Sequence, residues 1–126
     1  MTANIERIAL LCDEMEFGSA RQGRGFMFWA ASSGEPYICG LGKAVMVAVD
    51  NGVGVKVTYM NMGWFTFGAV DRMDLVAEWY GFTFEDCRQI VEWNDEARLS
   101  FPEIAVALRE RFTIPKVEIK ELASVG

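Results

Sequence analysis

Apolar residues recur along this chain at two different spacings, and the switches between them divide it into elements. Over residues 3–16 the period is helical. Ile5, Ile8, Ala9, Leu11, Cys12 and Met15 fall on one side, and Thr2 or Asn4 is placed to cap the start. Residues 17–36 lose that period. Gly18, Gly23, Gly25 and Gly34 stand among serines and alanines, which reads as loop, and the block Phe26-Met27-Phe28-Trp29-Ala30 interrupts it as a short buried strand. Ser32-Ser33-Gly34-Glu35-Pro36 is a turn sequence. Two readings compete between Tyr37 and Asp50. Ile38, Leu41, Val45, Met46 and Val49 would be the inward face of a helix ending at Asn51-Gly52, whereas the β-branched residues of 44–49 suit a strand. Segment length and the cap signal favour the helix.

Alternation then takes over. Val53, Val55, Val57 and Tyr59 interleave with Gly54, Lys56, Thr58 and Met60, Asn61-Met62-Gly63 can turn, and Trp64 to Ala69 form a returning arm, which together predict a β-hairpin over 53–70. Residues 71–80 return to helical spacing, with Leu75, Val76 and Trp79 inward and Gly81 just past the end. Two capped helices follow. Thr83 with Asp86 is a weak capping box, flanked by a staple of Phe82 onto Cys87, and Cys87, Ile90 and Val91 share a face. The acidic run Asn94-Asp95-Glu96-Ala97-Arg98 breaks that pattern. Ser100 and Glu103 then form a stronger box, with Pro102 in the first turn and Leu99 able to staple onto Ile104. Phe101, Ile104, Ala105, Leu108 and Phe112 line one side. Pro115 stops the helix, and Val117 and Ile119 alternate with charged residues as an exposed edge strand or a tail.

These elements describe one compact α+β domain over residues 1–126, mainly helical, with about four helices and a hairpin around residues 53–70. The length of 126 residues fits a single core, and 52% hydrophobic residues are enough to fill it. No apolar run reaches the roughly 18 residues of a membrane helix, and residues 1–20 lack the basic-then-apolar pattern of a secretory signal. Three widely spaced cysteines suit a reducing compartment, so a cytoplasmic location is expected.

Charge is the next constraint. The net charge of −6 is uneven: residues 1–16 carry −3, residues 71–100 carry −5 and residues 17–70 carry +2. An anionic chain is repelled by nucleic acid and by anionic membranes, so a protein partner with a basic surface is the easier match. Asp13, Glu14 and Glu16 oppose the dipole at the end of the first helix, which places them against a partner, a basic loop or water. There is no histidine, which removes the usual neutral-pH base and the commonest metal ligand. No catalytic residue, metal or cofactor is expected.

The remaining candidates are binding features. Gly18 to Gly25 resembles an anion cradle, with Arg21 and Arg24 as contacts, but lacks the Gly-Lys-Ser/Thr of a nucleotide loop. Cys39 beside a helix start, with Lys43 one turn on, is the best nucleophile candidate. Glu92, Asp95 and Glu96, with Glu85 and Asp86 nearby, lack the spacing of a calcium loop and form an acidic face. Trp93 lies off the apolar stripe among these acids, as an interface anchor or as packing under the turn.

Three stretches resemble a family of small uncharacterised bacterial and phage proteins. Cys39-Gly40-Leu41-Gly42 is similar to that family's Cys-x-x-Gly-Ala-Leu helix, Gln22-Gly23 ahead of Trp29 to its Gln-Gly loop, and Trp93-Asn94-Asp95 before a capped helix to its closing element. Lys43 and Ala44 depart from it, standing where Ala and Leu are expected. The family has no assigned activity, so the resemblance implies helical content only.

The function these features favour is a non-catalytic protein-binding module, of the phage or mobile-element inhibitor, adaptor or immunity type, that occludes a basic surface. Glu92, Trp93, Asp95 and Glu96, with Arg21 and Arg24, would make the contact. Two alternatives belong to other classes. One is a small-molecule binder or minor enzyme with a pocket of Phe26, Phe28, Trp29, Trp64 and Phe65. The other is a helix-turn-helix DNA binder reading with residues 100–112, against which Phe101-Pro102-Glu103 at the helix start argues. The glycine-rich and aromatic segments could equally build a homodimer face.

Overall fold

The computed structural model describes residues 2–18, 21–31 and 37–115. Five helices and a four-stranded antiparallel sheet make an α+β fold. Helix α1 (Ile5–Phe17) starts at Asn4, whose side chain accepts from the Arg7 N–H. Strands β1 (Phe28–Ala31) and β2 (Tyr37–Ile38) precede α2 (Gly40–Asp50). The hairpin of β3 (Val57–Asn61) and β4 (Phe65–Val70) follows, then α3 (Met73–Tyr80), α4 (Phe84–Val91) and α5 (Phe101–Phe112). The sheet order is β2-β1-β4-β3, so the expected hairpin is half of a larger sheet in which β1 pairs with β4 across the chain. The turn expected over 32–36 and the strand or tail expected after Pro115 lie outside the described residues.

Local signals explain most of the helix boundaries. Both capping boxes form as read: Thr83 with Asp86, and Ser100 with Glu103. Gly81 ends α3 in the left-handed region at φ +75°. Its backbone faces the N-terminal segment, where Asn4 N–H donates to Tyr80 C=O at 2.7 Å. The segment 37–50 is helix from Gly40, with Tyr37 and Ile38 diverted into a strand.

Two local readings change in three dimensions. The inward face of α2 is Ala44, Val45, Val47 and Ala48, while Met46 and Val49 are over a third exposed. Gly40 and Gly42 allow this helix to lie flat on its neighbours, which rotates it relative to the face the large residues suggested. The acidic run after α4 also fails to break the helix. It widens into a π-helical turn over Glu92–Glu96.

The core lies between the helices and one face of the sheet. Ile8, Leu11 and Cys12 of α1 pack with Ile104 and Leu108 of α5, Val45 of α2 and Ile90 of α4. Tyr80 and Phe82 stack at 4.7 Å between centroids, and the buried Tyr80 hydroxyl donates to Ala44 C=O. Phe28 closes the core from the sheet, with Ile38, Val57 and Val70 packed against it. The acids at the end of α1 find internal cations. Buried Arg109 of α5 donates to Asp13 at 2.8 Å and Glu16 at 3.2 Å, and Lys43 lies 3.8 Å from Glu14.

Candidate functional site

Strand alternation sorts the sheet residues into two faces. Phe28 sits opposite Ile38 and Gly68, and with Val57 and Val70 it belongs to the face the helices cover. Trp29 sits opposite Tyr37 and Phe67, and Met60 opposite Phe67, so these side chains point the other way. That outer face is aromatic. Phe26 stacks on Phe67 at 4.8 Å and lies 5.8 Å from Phe65, whose ring is 4.3 Å from Trp64. Trp29 and Tyr37 stack at 4.5 Å, and Arg21 covers Tyr37 with its guanidinium 4.1 Å above the ring and donates to its hydroxyl. Towards the hairpin turn the outer face opens to solvent, with Trp64 70% and Met60 57% exposed, while Tyr59, 62% exposed, lies beside Gly68 on the other face.

Beneath one edge of this face sits a buried amide hub. Asn94, in the π-helical turn, has no exposed surface. Its Nδ2 donates to Gly23 C=O at 2.9 Å and to Asp95, and its Oδ1 accepts from Gly40 N–H at 3.0 Å and from Gln22 Nε2 at 2.8 Å. Gln22 in turn donates to Leu99 C=O and accepts from the Phe101 N–H. Two amides thereby join the 21–25 loop, the start of α2, the π-helical turn and the start of α5. Gln22-Gly23, Cys39-Gly40 and Trp93-Asn94-Asp95 all meet here. A Cβ on Gly23 would lie 2.7 Å from the Trp29 indole nitrogen and from Tyr37 Cβ, so the loop also lies tight against the sheet.

The hub was missed in the sequence because its neighbours are charged. One signal was present: Asn94 lies four residues after Ile90 and seven after Cys87, on the apolar stripe of α4. Gln22, in an aperiodic loop, gave no comparable signal.

The expected contact residues fall into different environments. Arg24 donates to Asn94 C=O and Arg98 C=O, and Asp95 accepts from the Gly25 N–H, so both serve to fasten the loop to the turn. Trp93 is half-buried against the core. Glu92 pairs with Arg88 at 2.7 Å, and the same guanidinium holds Glu85, while Asp86 pairs with Arg111. Glu96 is exposed. Among the described residues no three thiol or carboxylate side chains gather to hold a cation.

Cys39 is the N-cap of α2. Its Sγ accepts from the Gly42 N–H at 3.3 Å, and burial pushes its thiol up rather than down. The expected activation by Lys43 is absent, because that ammonium is buried and directed towards Glu14. Burial also pushes the Cys12 thiol up to about 11, and raises Cys87.

The five aromatics proposed to form a pocket do not share one. Phe28 is on the inner face, Trp29, Phe26 and Phe65 are on the outer, and Trp64 is at the turn. A groove of about 650 Å³ lies between α3 and α4, lined by Met73, Ala77, Phe84 and Cys87. The charges at its rim are engaged elsewhere, Asp74 with Arg72 and Arg88 with Glu85 and Glu92. The cations of α5 are likewise occupied, Arg109 by Asp13 and Glu16, and Arg111 by Asp86. No family model, curated protein or solved structure matches this chain.

Proposed function

We propose that this protein is a non-catalytic protein-binding module that uses the outer face of its sheet and the adjoining hairpin turn. The observation carrying this reading is the cluster of Phe26, Trp64, Phe65 and Phe67, whose rings touch one another on the sheet face opposite Phe28 and the core. Tryptophan and other aromatics are the residues that most often anchor protein interfaces. Asp95 borders the cluster through the Gly25 contact, so a partner with an apolar patch edged by basic residues fits best. Occlusion of such a patch is the action of an inhibitor, adaptor or immunity-like protein.

The state of the reactive groups supports a binding role over a chemical one. Histidine is missing from the chain, the Cys12 and Cys39 thiols are buried with raised proton affinity, and most acids of 85–96 hold arginines or backbone N–H groups. Capture of a partner on immobilised protein tests the reading. The variant Trp64→Asp/Phe67→Asp should lose a partner that Glu92→Lys retains. The reverse pattern would move the contact to the acidic turn, and no captured partner at all would sink the proposal.

A further inference from the structure

We infer that β3 pairs with β3 of a second copy of this chain, antiparallel about a two-fold axis at Tyr59, to give one continuous eight-stranded sheet. β3 is the edge strand, and among the described residues no strand pairs with its free side. Met62 N–H donates to Phe65 C=O and Asp71 N–H to Lys56 C=O. Alternation of an antiparallel ladder from those two ends gives the bonds to β4 to residues 56, 58, 60 and 62. The N–H and C=O groups of Val57, Tyr59 and Asn61 therefore point outward, and among the described residues no hydrogen bond occupies them.

Natural edges are usually protected by lysine, proline, a bulge or a covering element. Val57-Thr58-Tyr59-Met60-Asn61 has no charge and no proline, and its ladder to β4 is unbroken over five pairs. Tyr59, Met60 and Met62 are all more than half exposed, and lie on or beside the edge. These side chains border the seam and add apolar contact to the paired backbone, while Trp64, whose ring lies 4.3 Å from Phe65, stays with the outer face.

Charge selects a second copy as the occupant. A chain at −6 repels itself over most of its surface, but from Val53 to Val70 the only charged side chain is Lys56. Centring on Tyr59 puts the two Lys56 residues at opposite ends of the seam. In that register Val57 faces Asn61, Tyr59 faces Tyr59, and Thr58 faces Met60, with about six new backbone hydrogen bonds. A two-fold axis perpendicular to the sheet keeps both outer faces on the same side, so pairing would double the surface assigned above to a partner. It does not depend on that assignment: a monomer that still captures a partner would sink the pairing alone.

The register supplies its own test. Thr58→Lys/Met60→Lys puts two ammonium pairs across the seam, whereas Thr58→Lys/Met60→Glu puts two ion pairs there, at side chains that are exposed in the monomer. Light scattering from micromolar to near-millimolar concentration should give a dimer for the wild type, a monomer for the first variant and a dimer again for the second, with circular dichroism unchanged. In the wild type alone, the amides of Val57, Tyr59 and Asn61 should exchange slowly when concentrated and quickly when dilute. A wild-type monomer throughout, a dimer in the double-lysine variant, a monomer in the charge-swapped one, or amide exchange indifferent to concentration would each overturn the inference.

Discussion

Asn94 has two donors and two lone pairs on its side-chain amide, and the fold uses all four. Removing such a group strands its partners inside a space that excludes water. Asn94→Ala leaves Gly23 C=O, Gly40 N–H and Gln22 Nε2 each short of a partner, and should lower stability by roughly 3 kcal/mol or more, read as a fall in the urea midpoint. Asn94→Asp is nearly isosteric and more instructive. Its carboxylate would be buried beside Asp95, which raises its proton affinity in the folded state. An acid with a raised folded pKa loses stability as pH rises and regains it as pH falls, because protonation removes the buried charge and returns a donor for Gly23 C=O. The midpoint deficit of Asn94→Asp should therefore be smaller at about pH 5 than at about pH 8. A deficit independent of pH would mean that water reaches the hub. The sequence stated that residue 94 was polar but not that it was buried. Its three immediate acidic neighbours made a solvated turn the simpler reading, and only packing turns the residue inward.

At the scale of single elements the chain was most readable where the interactions are local. The caps of α1, α4 and α5 involve residues three apart, and each forms between the residues expected. The left-handed Gly81 is local in the same sense, while the hairpin turn centres on Gly63-Trp64, later than the Asn61-Met62-Gly63 suggested, so Trp64 sits in the turn and not on the returning arm. α2 shows the opposite case. Helix propensity says that Gly42→Ala should stabilise by about 1 kcal/mol. In the fold, Gly42 lies against Met27, and a Cβ there would collide with the Met27 carbonyl. That carbonyl also accepts from Cys39 N–H at 3.0 Å, so β1 and the start of α2 cannot separate cheaply. Overpacking of about 1–3 kcal/mol should outweigh the propensity gain. Gly42→Ala should lower the melting temperature by several degrees, whereas Gly54→Ala, where no atom lies near the added carbon, should not. A rise in melting temperature for Gly42→Ala would show that α2 can shift away from the strand. The inward face of α2 was misjudged for the same reason. Large residues suggested Met46 and Val49, but the close approach through glycine selected Ala44, Val47 and Ala48.

Across the whole molecule, charge and apolar surface are separated. Acids dominate the helical part, and many are consumed internally, at Arg109, Arg88 and Arg111. The hairpin is almost uncharged and keeps its apolar side chains in water. Self-association through it is opposed by the net charge of the two copies, so screening should help. Raising NaCl from about 0.05 M to about 0.5 M shortens the Debye length severalfold and should tighten the dimer, measured by sedimentation equilibrium. A contact driven by the acidic turn against a basic partner would weaken over the same range. The sequence by itself determined the α+β class, the helices other than α2, the hairpin and the anionic balance, because period, capping and composition act over a few residues or none. The tertiary structure decided which polar residues are buried, which acids are neutralised, that β1 and β2 complete a sheet with the hairpin, and which sheet face stays open. Those outcomes depend on contacts between residues some seventy positions apart, such as Gln22 with Asn94, and no local spacing encodes them.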